Sequence, residues 1–160
     1  MRKRIIEHGL RGMPSGEPRE WLNLECLAQI EVTSEDAGHP IESALVPAGD
    51  RGWRAEGPGE QTIRLLFDEP VKLRRVRLVF REEAQGRTQE FVLRWSPDGG
   101  RTYREVVRQQ YIFSPPGTAR EIEEYAVDLS GVTVLELHIV PDIGGGDARA
   151  VLERMQLASS

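Results

Sequence analysis

The side chains able to do chemistry are few and scattered. His8, His39 and His138 stand alone in sequence, with no His-x-His or Cys-x-x-Cys spacing. They do not gather the ligands that a structural or catalytic metal needs. The single cysteine, Cys26, excludes an internal disulfide. No oxyanion turn or Gly-x-Ser-x-Gly elbow supports it as a nucleophile, and at the head of an apolar run it reads as a small core residue. The acidic pairs Glu82–Glu83 and Glu123–Glu124 are neighbours in sequence. On a strand neighbours point to opposite faces, so neither pair makes an acid/base couple by itself. G-G-G-D (144–147) lacks the strand–loop–helix setting of a phosphate cradle. What remains is arginine. Lys3 and Lys72 are the only lysines, and arginine supplies every other cation. Its planar fork holds carboxylates and covers apolar surface with its stem. The first reading is solvated strand faces laced with Arg–Glu pairs, and the second is ligand contact.

The elements that must position these groups are strands. Ile63, Leu65 and Phe67 share one face of Q-T-I-R-L-L-F, and Val76, Leu78 and Phe80 share one face of R-V-R-L-V-F-R, with Arg75, Arg77 and Arg81 opposite. Phe91, Leu93 and Trp95 alternate with Val92 and Arg94, and Leu135, Leu137 and Ile139 with Glu136 and His138. Period-two alternation means strands with one face buried and one wet. Breaks are expected at D-E-P (68–70), near Gly86, at P-D-G-G (97–100), S-P-P-G (114–117), L-S-G (129–131) and P-D-I-G-G-G-D (141–147). V-L-E-R-M-Q-L (151–157) is the one run that could be helical; as a strand, its Val151, Glu153, Met155 and Leu157 share a face. Tyr111, Ile112 and Phe113, just before S-P-P-G, could form an apolar loop tip, with burial of at least two of the three the better reading. Strands at this spacing imply an antiparallel sandwich or jelly roll.

Length, charge and composition bound the rest. A chain of 160 residues with 39% hydrophobic content supports one core. A net charge of −5 argues against a nucleic-acid backbone as partner. No window approaches a membrane span, and the basic N-terminus lacks the apolar run of a signal peptide. With a lone cysteine, the expected address is cytoplasmic. Residues 1–24 hold Gly9, Gly12, Pro14, Gly16 and Pro18 beside Ile5, Ile6, Leu10, Trp21 and Leu22. This composition reads as an arm packing on the domain or on a second copy in a homodimer, or as a loose leader. Residues 25–160 form the domain.

S-P-D-G-G-R-T-Y (96–103) matches the Ser-x-Asp-x-Gly-x-Thr-aromatic pattern called an Asp box. Asp98 can accept backbone N–H bonds within the turn, and the glycines allow positive φ. In sialidase-like propellers the motif recurs blade after blade. Here it occurs once, as a structural hairpin turn. Over residues 26–158 the chain resembles the discoidin or coagulation-factor C-type domain, an all-β, antiparallel jelly-roll sandwich of the galactose-binding-like fold. The resemblance rests on S-E-D-A-G-H-P-I-E-S-A-L (34–45), Trp53, Q-T-I-R-L-L-F-D-E-P-V-K-L-R-R-V-R-L, the hairpin, V-T-V-L-E-L-H-I-V-P and A-V-L-E-R-M-Q-L.

The resemblance implies a binding site in the loops at one end, and no cofactor. Sugar-binding members present an arginine and an amide ahead of the hairpin, positions matched here by Arg81 and by Gln85 next to Gly86. Arg54 follows Trp53 where those members carry histidine, and His39 stands in G-H-P where they carry tyrosine. The late loop offers Ile143 but no aromatic platform for stacking on a sugar ring. Arg54 and Arg81 together would equally suit a carboxylate-bearing ligand, and Arg81 reads just as well as a rung of the wet face. Many members also bind calcium. Glu153 matches their glutamate, but Val46 and Arg51 replace their aspartate and threonine. No calcium is expected, and Arg51 would instead pair with Glu153 to tie the loop to the last strand. The functional expectation is a non-catalytic binding module for a carbohydrate or another polar or acidic small ligand, with ligand-binding residues Arg81, Gln85, Arg54 and His39. A protein-interaction or assembly module with no sugar site is the alternative, and an enzyme ranks third.

Overall fold

The computed structural model describes residues 21–46, 51–83, 85–117 and 119–160. Alternation becomes strand: β1 (Ala28–Val32), β2 (Trp53–Pro58), β3 (Gln61–Arg81), β4 (Arg87–Ser96), β5 (Arg104–Phe113), β6 (Arg120–Val140), β7 (Arg149–Leu152) and β8 (Arg154–Ala158). Among the described residues, α-helix is confined to two single turns, α1 (Leu24–Leu27) and α2 (Glu42–Leu45). The apolar members of each alternating run are buried, Leu65, Leu78, Phe80, Phe91, Leu93 and Leu137 completely. Burying a side chain of this size contributes about 1.5–3 kcal/mol.

Two 21-residue strands, β3 and β6, organise everything else. They pair antiparallel from Gln61↔Ile139 to Arg81↔Arg120. The first part of β3 and the last part of β6 lie in a five-stranded layer, β1-β3-β6-β4-β5. The remaining part of β3, joined to β8 over Arg75–Val79 and still paired with β6, forms the second layer. The layers face each other through Phe80 on β3 and Phe91 on β4, whose rings lie 5.2 Å apart. The result is an antiparallel jelly-roll sandwich with one core cluster from Leu24 to Leu157, and a short β2–β7 ribbon at one end.

Two expected breaks are not breaks. D-E-P (68–70) lies inside β3, and L-S-G (129–131) lies inside β6. The register between these strands shifts from Leu66↔Val134 to Val71↔Val132 and again before Arg75↔Ala126. The breaker residues therefore sit on either side of the Val71↔Val132 pair, within the irregular stretch where both strands bend out of one layer and into the other. Proline is tolerated in a sheet at such irregularities, and Gly131 takes φ +72° there.

The 151–157 run is strand, not helix, but its face also departs from expectation. Ala150 and Leu152 are buried on β7, then Met155 and Leu157 on β8. The phase slips at Glu153, where the chain leaves β2 for β3. Val151 and Glu153 consequently point away from the core, toward the end of the sandwich. Cys26 is a second correction: it lies in α1, which buries Leu24 and leaves the thiol exposed. Tyr111, Ile112 and Phe113 are strand, not loop tip. Phe113 is fully buried, Tyr111 packs edge-on against it, and Ile112 faces solvent.

The Asp box closes the β4–β5 hairpin as expected. Asp98 Oδ1 accepts the backbone N–H groups of Arg101 and Thr102 at 3.1 and 2.9 Å, and Oδ2 accepts the Thr102 hydroxyl at 2.7 Å. The Ser96 hydroxyl donates to Oδ1 at 2.7 Å. These bonds, the Ser96 one foremost, lower the Asp98 carboxyl to about 2. Of the N-terminal arm, residues 1–20 fall outside the described residues, and with them the expected homodimer contact. Its last residues lie on the domain: Leu22 N–H donates to Leu157 O at 2.7 Å, and Arg75 stacks over Trp21 at 4.5 Å.

Gly52 is where the chain before β2 crosses the last strands. Its φ is +70°, and a Cβ there would meet Glu153 Cα and Leu152 O at 2.8 Å. Both atoms are backbone and cannot give. Gly52→Ala is predicted to lower stability by about 2 kcal/mol or more. Gly57→Ala, with nothing within 4 Å of the added carbon, should stay within about 0.5 kcal/mol. Urea denaturation of both variants checks the contrast.

Candidate functional site

Five segments meet at the end of the sandwich beside the β2–β7 ribbon: the turn after β1, the chain entering β2, the end of β3 with its following loop, the loop before β7, and the β7–β8 slip. They enclose a cleft of about 740 Å³. All four residues expected to bind ligand, His39, Arg54, Arg81 and Gln85, line it together.

The first two are set by backbone pairing. His39 N–H donates to Asp36 O at 2.9 Å, Asp36 N–H to Arg54 O at 2.8 Å, and Arg54 N–H to His39 O at 3.2 Å. The turn and the first residues of β2 are thus stitched into one unit. Its anchor is Trp53, buried to 1% exposure, with Nε1 donating to Ser34 O at 3.0 Å. His39 Nδ1 lies 2.9 Å from Asp36 Oδ2, a bond that lowers the Asp36 carboxyl. An ionised carboxylate only accepts, so Nδ1 carries the proton and Nε2 remains for another partner.

Arg81 is held differently. Its Nε and Nη2 contact Glu153 Oε1 and Oε2 at 3.0 and 3.4 Å, and its Nη1 contacts Glu83 Oε2 at 2.9 Å. Glu153 first and Glu83 second hold its guanidinium firmly charged, raising it above the usual arginine range. Arg120 Nη2 also approaches Glu153 Oε2, at 3.5 Å. Arg81 lines the cleft, and it is also a rung of an Arg–Glu lattice.

The expected Arg51–Glu153 tie is not the one that forms, since Glu153 is clasped by Arg81 and Arg120. The loop is joined to the last strands by Arg154, whose Nη1 donates to Val46 O at 3.0 Å. Gly52 adds a close backbone crossing beside Glu153. Among the described residues a calcium ion does not fit this donor set, because two guanidinium groups already hold the glutamate that would face it.

The loop carrying Gln85 rests on a pair that sequence reading missed. Arg87, 4% exposed, sends Nε to Glu82 Oε1 at 2.7 Å, and Nη1 to Gln89 Oε1 at 2.8 Å and Pro141 O at 2.6 Å. Its guanidinium lies 4.9 Å from the centre of the Phe113 ring. Glu82 Oε2 accepts the Gln85 N–H at 3.2 Å. One buried guanidinium therefore fixes the loops on two sides of the cleft. The only sequence signal was an arginine at the apolar phase of β4, two and four residues before Gln89 and Phe91. The late loop supplies Asp147 and Ala148 to the cleft, while Ile143 is 48% exposed and outside it.

Elsewhere, Glu136, expected on a wet face, is 2% exposed and clasped by Arg64 and Arg94. His138 is satisfied by Thr62 and Glu60, as expected of a surface histidine. Glu121 and Glu123, two apart and so on one strand face, were not singled out from sequence. Their mutual hydrogen bond, with burial second, raises Glu121 to about 7.

The architecture is that of a sandwich with a polar end cleft. The chain belongs to the F5/8 type C domain family, whose model matches residues 29–141. Among solved structures, a family 32 carbohydrate-binding module from C. perfringens NanJ in complex with galactose superposes with TM-score 0.62 at 9% identity, covering 86% of this chain and 96% of that one. The family 32 module of AlyQ in complex with 4,5-unsaturated mannuronic acid gives 0.53 at 15%, covering 84% and 96%. Reduced XRCC1 bound to the DNA pol beta catalytic domain gives 0.61 at 16%, covering 84% and 97%. At these identities the likeness is one of fold. A search of curated proteins finds no match.

Removing the Arg87 guanidinium would take the buried cation from Glu82 Oε1 and the donor from Gln89 Oε1 and Pro141 O. Arg87→Met is predicted to cost about 3 kcal/mol or more. Equilibrium denaturation gives the size of the loss.

Proposed function

We propose that this chain is a non-catalytic binding module that takes a carbohydrate, or another polar small ligand, in the end cleft. One observation carries the reading: His39, Arg54, Arg81 and Gln85 come from separate segments yet line one cavity of about 740 Å³. Arg54 offers a planar donor fork with no ion-pair partner among the described residues. Gln85 offers an amide, and His39 a ring nitrogen oriented from behind by Asp36. Such directed donors and acceptors suit vicinal hydroxyls. Arg81, braced by Glu153 and Glu83, gives the cleft a rigid wall. The sugars named with the NanJ and AlyQ modules support a sugar-sized ligand at this fold.

A protein-interaction module is the second reading. It is favoured by the lack, among the described residues, of an exposed Trp, Tyr or Phe ring in the cleft, where Trp53 is buried. The XRCC1 complex shows a chain of this fold engaged with a protein.

A glycan array separates the two readings. Wild-type protein is expected to bind at least one saccharide class, with the signal reduced about tenfold in Arg54→Ala of unchanged circular dichroism. No binding to any glycan would overturn the carbohydrate reading and leave the second one.

A further inference from the structure

The charges that line the cleft are not evenly satisfied. On one wall Arg81 has all three nitrogens on carboxylates, Glu153 and Glu83. Glu82 is held by Arg87 from behind. With Arg120 Nη2 3.5 Å from Glu153 Oε2, these three carboxylates are matched by three guanidiniums within the protein. The other cleft arginines are Arg51, Arg54 and Arg149. Among the described residues Arg51 and Arg54 have no ion pair, and Arg149 comes no closer than 3.9 Å to a carboxylate, Asp36, which is already bonded to His39. Against these three cations, Asp147 is the one cleft carboxylate with no ion pair among the described residues. The cleft therefore holds one set of charges matched within the protein and a second set, three arginines against Asp147, that is net cationic.

Among the described residues the cleft also lacks an aromatic face that would stack on a neutral sugar ring. Its tryptophan is 1% exposed and presents no face for stacking. Affinity must come from hydrogen bonds, and charge-assisted ones are roughly twice as strong as neutral ones. A neutral ligand would leave this cationic set without a counter-charge.

We propose that the ligand of this cleft is an anionic sugar of the uronate type. Its carboxylate is held by Arg54 and Arg51, and its hydroxyls by Gln85 and His39. The inference rests on the carbohydrate reading above and narrows it. It also assigns Arg51, which the sequence had placed in a structural tie, to the ligand. Arg54 selects the carboxylate by its fork geometry, which an ester lacks the charge to match.

The test is isothermal titration calorimetry of the full chain. The titrants are galacturonate, glucuronate and mannuronate, each beside its neutral parent sugar and its methyl ester. At least one uronate should bind about tenfold tighter than both of its neutral counterparts. The advantage should shrink as salt rises from about 50 to about 500 mM. It should vanish in the Arg51→Ala/Arg54→Ala double variant, while Arg149→Ala reports whether the third cation contributes by a smaller loss. Equal affinity for acid and ester, or a uronate affinity untouched in the double variant, would overturn the anionic assignment and leave the carbohydrate reading standing. Failure of every acid, ester and neutral sugar to bind folded wild-type protein would sink both.

Discussion

The antiparallel pairing of β3 with β6 is the interaction on which the rest of the molecule hangs. Each strand is long enough to serve both layers, so one continuous ladder holds the sandwich together at its corner. The other strands dock onto one or other part of that ladder or extend it sideways. The cleft depends on it directly. Arg81 is the final residue of β3 and sits opposite Arg120, the first of β6. Both reach Glu153, at the slip between β7 and β8. The end of the ladder and the end of the core are thus fastened by one carboxylate.

The sheet framework was legible in the sequence because period-two alternation is strong where one face is buried. Ile63, Leu65, Phe67, Val76, Leu78, Phe80, Phe91, Leu93 and Trp95 all proved to face the core. Local breaker signals were read correctly where the chain reverses, and wrongly where it only bends. D-E-P and L-S-G look like turns in isolation. Their true role appears only when the two strands are laid side by side and the breakers fall on either side of the Val71↔Val132 pair, inside one stretch of shifted register. The slip at Glu153 was hidden for the same reason: a change of partner strand leaves no mark in composition.

The site was legible in part. Family position picked out His39, Arg54, Arg81 and Gln85, and the fold brings all four to one cavity. Their partners were not foreseen. Side chains from distant segments compete for Glu153, and Arg81 wins over Arg51 because β3 ends beside it while Arg51 lines the cleft without touching it. Arg87 was passed over because a charged residue at an apolar phase carries no signal until Glu82, Gln89 and Pro141 are seen around it. Burial of such a charge is tolerated here through three short hydrogen bonds and an aromatic face.

The hairpin turn and the cleft lie at opposite ends of β4. Its 10 residues span roughly 33 Å at about 3.3 Å each. This separation makes amide chemical-shift mapping the most direct test of where ligand binds. With a mixture of galacturonate, glucuronate and mannuronate added to labelled protein, shifts should gather on His39, Arg54, Gln85 and their neighbours, with residues 96–103 silent. Shifts centred on the hairpin or on the β5 edge, with the cleft unmoved, would contradict the account.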